Sequence, residues 1–82
     1  MGIQNYKDMK QEDTIEVLAT KPEYRFIKRT RYYTSKKPII DYCIEKRMYW
    51  ENMPEGLIRY AIIYFNRSKT KVERRFLFEY EV

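Results

Sequence analysis

The residues Tyr24-Arg25-Phe26-Ile27-Lys28-Arg29-Thr30-Arg31-Tyr32-Tyr33 interleave basic and aromatic side chains more densely than any other part of the chain. Guanidinium and ammonium groups neutralise phosphates and release counterions. Exposed rings add a stacking surface worth ~1–3 kcal/mol per base. Lys36 and Lys37 extend this stretch, Lys46-Arg47-Met48-Tyr49-Trp50 repeats its theme, and Arg67, Lys69 and Lys71 add a further basic segment. Successive side chains of a strand point to opposite faces, so Arg25, Ile27, Arg29, Arg31 and Tyr33 would form one row. The candidate contact residues for a nucleic acid or a protein partner are therefore Arg25, Arg29, Arg31, Tyr33, Lys36 and Lys37. No RNP-like or GxxG motif accompanies them.

A competing reading places the aromatics in the core, which would draw on Tyr24, Phe26, Tyr42, Trp50, Tyr60, Phe65, Phe76 and Phe78. The arginines would then be solvated or paired with acids. Asp41 and Glu45 lie two strand steps apart on one face, where they could pair with Arg29, Arg31 or Arg47 across a sheet.

Other chemistry is scarce. The chain has no histidine, so the commonest general base and metal ligand is missing. Cys43 is the single cysteine; without a histidine it can form neither a Cys/His nucleophile pair nor a Cys/His zinc site. Its expected place is a small, half-buried strand position. Gly2 and Gly56 are the only glycines, too few for a phosphate-cradling loop. The carboxylate pairs Glu12 with Asp13 and Glu79 with Glu81 could meet a hard cation, but each reads first as a solvated face. Small toxin-like ribonucleases can work with Arg, Lys, Tyr and Glu alone, by stabilising charge in a phosphorane-like transition state. Tyr32, Tyr33, Arg31, Arg74 and Arg75 would supply such a set, but their predicted order shows no convergence. The expectation is a protein without catalytic residues, metal or cofactor.

These residues must be positioned by few elements, because 82 residues leave room for one domain. Nine Tyr, four Phe and one Trp supply bulk for a small core, and a hydrophobic fraction of 44% argues against global disorder. Residues 1–13 read as a polar tail, or as a short helix docking through Ile3, Tyr6 and Met9; residues 14–82 read as the globular domain. Within it, Thr14–Thr20 is a predicted strand in which Ile15, Val17 and Ala19 alternate with Thr14, Glu16 and Leu18. Lys21-Pro22-Glu23 is a turn, since proline cannot donate to a ladder. Tyr24–Thr34 is the second strand, and Ser35-Lys36-Lys37-Pro38 breaks it.

Ile39–Trp50 is ambiguous. Ile40, Ile44 and Met48 make a helical stripe with Pro38 near its start, whereas the β-branched and aromatic content favours a strand. After a turn at Asn52–Gly56, Leu57–Phe65 is the strongest apolar run and reads as a central strand covered on both sides. A polar loop, Asn66–Lys71, leads to Val72–Val82, whose alternation predicts a final strand in a hairpin with its predecessor. Ile62, Phe76 and Phe78 are then core residues.

The fold expected is mainly β: a small antiparallel sheet or partly closed barrel of four or five strands, possibly with one helix, or α+β if 39–50 is helical. The formal charge of +5 suits an anionic partner without proving one. No apolar run approaches the ~18 residues of a membrane span, and neither a signal core nor a possible internal disulfide is present. The chain therefore reads as intracellular and cytoplasmic, with no membrane partner. Two functions follow. The first is nucleic-acid binding, single-stranded or RNA, through the basic and aromatic sheet face. The alternative rests on brevity, low glycine and a Tyr/Ile/Lys/Arg-rich composition, which have the flavour of virus or mobile-element proteins. It is a viral, phage or mobile-element protein that binds and inhibits or regulates a host protein complex. A homodimer through a sheet edge is a further possibility.

Overall fold

Among the described residues, hydrophobic alternation and turn chemistry produce a four-stranded meander followed by one helix. The computed structural model describes residues 10–79. The strands are β1 (Lys10–Lys21), β2 (Tyr24–Tyr33), β3 (Ile39–Arg47) and β4 (Tyr60–Asn66), and the helix is α1 (Lys69–Glu79). Each strand pairs antiparallel with the next, in the order β1-β2-β3-β4, and the sheet does not close into a barrel. The segment Ile39–Arg47 is a strand, so the ambiguity over 39–50 falls to its β-branched and aromatic content. The expected tail or short helix over 1–13 lies largely outside the described residues; its last four positions belong to β1. Among the described residues no helix is long and apolar enough to cross a membrane.

Pro22 and Glu23 close the first hairpin. Proline fixes φ near −65°, and Glu23 follows at φ 70°, the sign combination of a type II turn. The Glu23 carbonyl accepts a hydrogen bond from the Arg47 amide at 2.7 Å, tying the end of β3 to this turn.

Two irregularities decide which side chains face where. A register shift between Val17 and Ala19 interrupts the alternation predicted for β1. It leaves Val17 opposite Ile27 while Leu18 packs on the core with Phe26. A second shift lies opposite Ile44 and Glu45 of β3, which pair with Tyr64 and Ile62. Ile63 is the extra residue of β4, left without a partner on β3 between Ile62 and Tyr64.

The predicted strand at Val72–Val82, and with it the final hairpin, is not formed; Lys69–Glu79 is helical, and Tyr80–Val82 lie outside the described residues. Val72 and Phe76, four residues apart, are buried, whereas Phe78 is 75% exposed. The even-numbered pattern was thus a helical pair with an exposed aromatic beside it. Local chemistry starts the helix. The Asn66 Oδ1 atom accepts from the Ser68 amide at 2.9 Å, and the Ser68 hydroxyl accepts from the Lys71 amide at 3.3 Å. Ser68 is therefore the N-cap.

Phe76 meets Phe26 with ring centroids 5.8 Å apart, and Phe26, Ile44, Val72 and Phe76 form the core between sheet and helix. Leu18, Tyr24, Tyr42 and Tyr64 pack around it. The helix covers one face only. The apolar run expected as a central strand is instead β4, an edge strand shorter than expected, with Leu57 and Ile58 outside it. Ile62 and Phe65, expected in the core, are exposed, as is Trp50. The molecule is a slab, with principal extents of 50 × 36 × 15 Å.

Candidate functional site

The face of the sheet away from α1 is built from four strands in register. Its central cross-strand row is Val17, Ile27, Cys43 and Phe65, each paired with the next. Charged rows flank it. On one side Arg25 pairs with Glu45; on the other Arg29 pairs with Asp41, and Arg31 follows.

The arginines are anchored. Arg25 donates from Nε and Nη2 to Glu45 Oε1 at 3.0 and 2.6 Å, with its guanidinium 3.8 Å over the Tyr60 ring. Arg29 and Arg31 each donate from Nη2 to Asp41 Oδ2, at 3.2 and 2.8 Å. Arg67, mostly exposed, brings Nε to 3.7 Å from Asp41 Oδ1. Asp41 is 1% exposed and Glu45 is 7%. Carboxylates so deep are tolerable because guanidinium groups meet them directly. The Nε atoms of Arg29 and Arg31 are covered and make no hydrogen bond, so these side chains lie down on the sheet. Their stems shield the middle of the row, which explains how Ile27 and Cys43 are fully buried on the face away from α1.

Burial pushes the Cys43 thiol up; nearby Asp41 and Glu45 act the same way, and Arg29 and Arg31 oppose them. A covered, protonated thiol is a poor nucleophile.

The ends of the row are open. Ile15 and Val17 on β1 are 55% and 46% exposed, and Phe65 on β4 is 61% exposed. Ile62, opposite Glu45, also surfaces on this side. The open face therefore carries apolar strips at β1 and β4, with fixed arginines between them.

Of the residues singled out in the sequence, Arg25, Arg29, Arg31 and Tyr33 do share this face. Lys36 and Lys37 lie in the link between β2 and β3, where Lys36 sits 4.5 Å over the Tyr33 ring. Asp41 takes Arg29 and Arg31, as its strand position suggested. Glu45 takes Arg25, and Arg47 instead lies over Tyr49 at 5.2 Å. The ribonuclease-like set is not assembled: Arg31 and Tyr33 stand on the open face, whereas Arg74 and Arg75 are on α1 beyond the other. Among the described residues no group of three or more His, Cys, Asp or Glu side chains could hold a metal. Sequence reasoning missed the exposed strip of Ile15 and Val17. The available signal was that these residues alternate on the same face as the arginines they flank.

Comparison of the chain with protein-family models, with curated proteins and with solved structures finds no match.

Proposed function

We propose that the protein is a non-catalytic binding module whose open sheet face docks on another protein, at a surface with acidic groups between apolar patches. The observation that carries this reading is the exposure of Ile15, Val17 and Phe65 on the sheet face that α1 does not cover. Apolar side chains grouped on a face mark an interaction surface, whereas scattered ones do not. The charge on the face sets the chemistry of the partner. Arg25, Arg29, Arg31 and Arg67 stand against Asp41 and Glu45, so positive charge is in excess. Arginine is also favoured at protein interfaces. Arg25, Arg29 and Arg31 are already held by carboxylates, so little further side-chain freedom is lost on binding. A role by occupancy, as a regulator or inhibitor of the partner, fits a face that binds and does no chemistry.

The same anchoring lowers the standing of nucleic acid. Phosphate binding draws on guanidinium groups free to exchange counterions, and here Arg25, Arg29 and Arg31 are already committed to buried carboxylates.

Selection of a random peptide library on the immobilised protein tests the reading. Expected binders combine aromatic or aliphatic residues with Asp or Glu. Their binding should be lost in the double variant Ile15→Ser, Val17→Ser and kept in Phe78→Ser, which alters the exposed helix. Binders insensitive to the double variant would overturn the reading. So would tight, salt-sensitive binding of a single-stranded oligonucleotide that weakens when Arg29 and Arg31 are replaced by Gln.

A further inference from the structure

We infer that β4 is the seam of a symmetric dimer, in which two copies pair their β4 edges antiparallel and join their sheets into one. The inference rests on β4 itself and needs neither Ile15 nor Val17; it shares only Phe65 with the docking reading.

Three observations carry it. First, β4 has the composition of an interior strand in an edge position. Tyr-Ala-Ile-Ile-Tyr-Phe-Asn is apolar on both faces, as in strands with neighbours on each side. Yet the sheet order ends at β4, and Ile62, Ile63 and Phe65 are 38%, 40% and 61% exposed. Natural edges are blunted with charge or proline; this one has neither.

Second, charge points to a second copy. The chain carries +5, so two copies repel unless they meet where charge is absent. β4 has no charged residue, while the opposite edge, β1, contains Lys10, Glu12, Asp13, Glu16 and Lys21.

Third, the strand is self-complementary. Tyr60–Phe65 are all apolar or aromatic, so an antiparallel twofold that sets the middle of one β4 against the middle of the other brings only such residues together, the kind of pairing that stabilises antiparallel strands. Such an interface is isologous and closes on itself.

Sedimentation velocity over a concentration series, with circular dichroism to confirm folding, tests the dimer. Wild type should dimerise. Ile63→Lys should weaken self-association about tenfold or more by burying a charge at the seam. Ile15→Lys, on the far strand, should leave it intact. Should Ile63→Lys fail to fold, hydrogen exchange of the wild type decides, since the β4 amides should gain protection as concentration rises. A wild type that stays monomeric, or β4 amides whose exchange ignores concentration, would overturn the inference. Equal dissociation by Ile15→Lys would also overturn it, because the copies would then be stacked face to face. Peptide binding at Ile15 and Val17 is read in a separate assay, so either result can fail without the other.

Discussion

Asp41 carries more of the open face than its size suggests. It is 1% exposed, accepts from Arg29 and Arg31 through one oxygen, and faces Arg67 with the other. Removing one partner of a buried pair costs about 3–5 kcal/mol, because the other charge is left without compensation. Arg29 and Arg31 keep about a quarter of their side-chain surface, so water relieves part of that loss. Asp41→Ala should therefore destabilise by about 2–3 kcal/mol in urea unfolding. Arg67→Ala should stay within about 0.5 kcal/mol, since that side chain is 74% exposed and its contact is long. Equal effects from the two substitutions would show that Asp41 does not organise the row. Cys43 belongs to the same arrangement, filling a covered space beside Asp41.

At the scale of elements, α1 holds the sheet through two side chains, Val72 and Phe76, with Phe76 2% exposed against Phe26. Phe76→Ala should cost about 3–5 kcal/mol by leaving a cavity between helix and sheet. Phe78→Ala, two residues on and 75% exposed, should change stability by no more than about 0.5 kcal/mol. Paired thermal melts measure both, and a Phe78→Ala loss as large as that of Phe76→Ala would contradict the helical placement. This contrast also shows what the sequence could convey. Strand β2 was legible because alternation, Pro22 and Pro38 agree on its limits; β1 starts at Lys10, four residues before the Thr14 start expected, and β3 also carried a helical stripe. The arginine row and the part played by Asp41 were legible because strand alternation fixes sides and pairing follows from charge. The last segment was not, because Val72, Phe76 and Phe78 satisfy a period of two nearly as well as one of 3.6. Only the cap at Asn66 and Ser68 separates the two readings. The place of β4 was hidden for another reason. Apolar composition reports that a strand wants cover, but not whether its own chain supplies it.

At the scale of the molecule, the slab is broader than its length predicts. The radius of gyration is 15.8 Å, against about 12 Å for a compact domain of this length. Six apolar side chains are buried among the described residues, namely Phe26, Ile27, Cys43, Ile44, Val72 and Phe76, while other large ones such as Trp50, Phe65 and Phe78 stand in solvent. Small domains bury the smallest share of their surface to begin with. A flat one buries less still, so the isolated chain should sit close to its stability limit. Association changes that by mass action, because a dimer binds the folded state and not the unfolded one. Each tenfold rise in concentration stabilises a folded dimer by about 1.4 kcal/mol, or about 0.7 kcal/mol per chain. For a domain of this size ~1 kcal/mol moves the melting temperature by ~4–8 °C, so the shift should be several degrees for each tenfold. Melting curves from about 5 to about 500 µM span enough of the mass-action range to show it. Ile63→Lys should flatten the dependence and melt near the low-concentration limit of the wild type. A wild-type midpoint unmoved across that range would mean that one slab, with one helix on one face, is sufficient by itself.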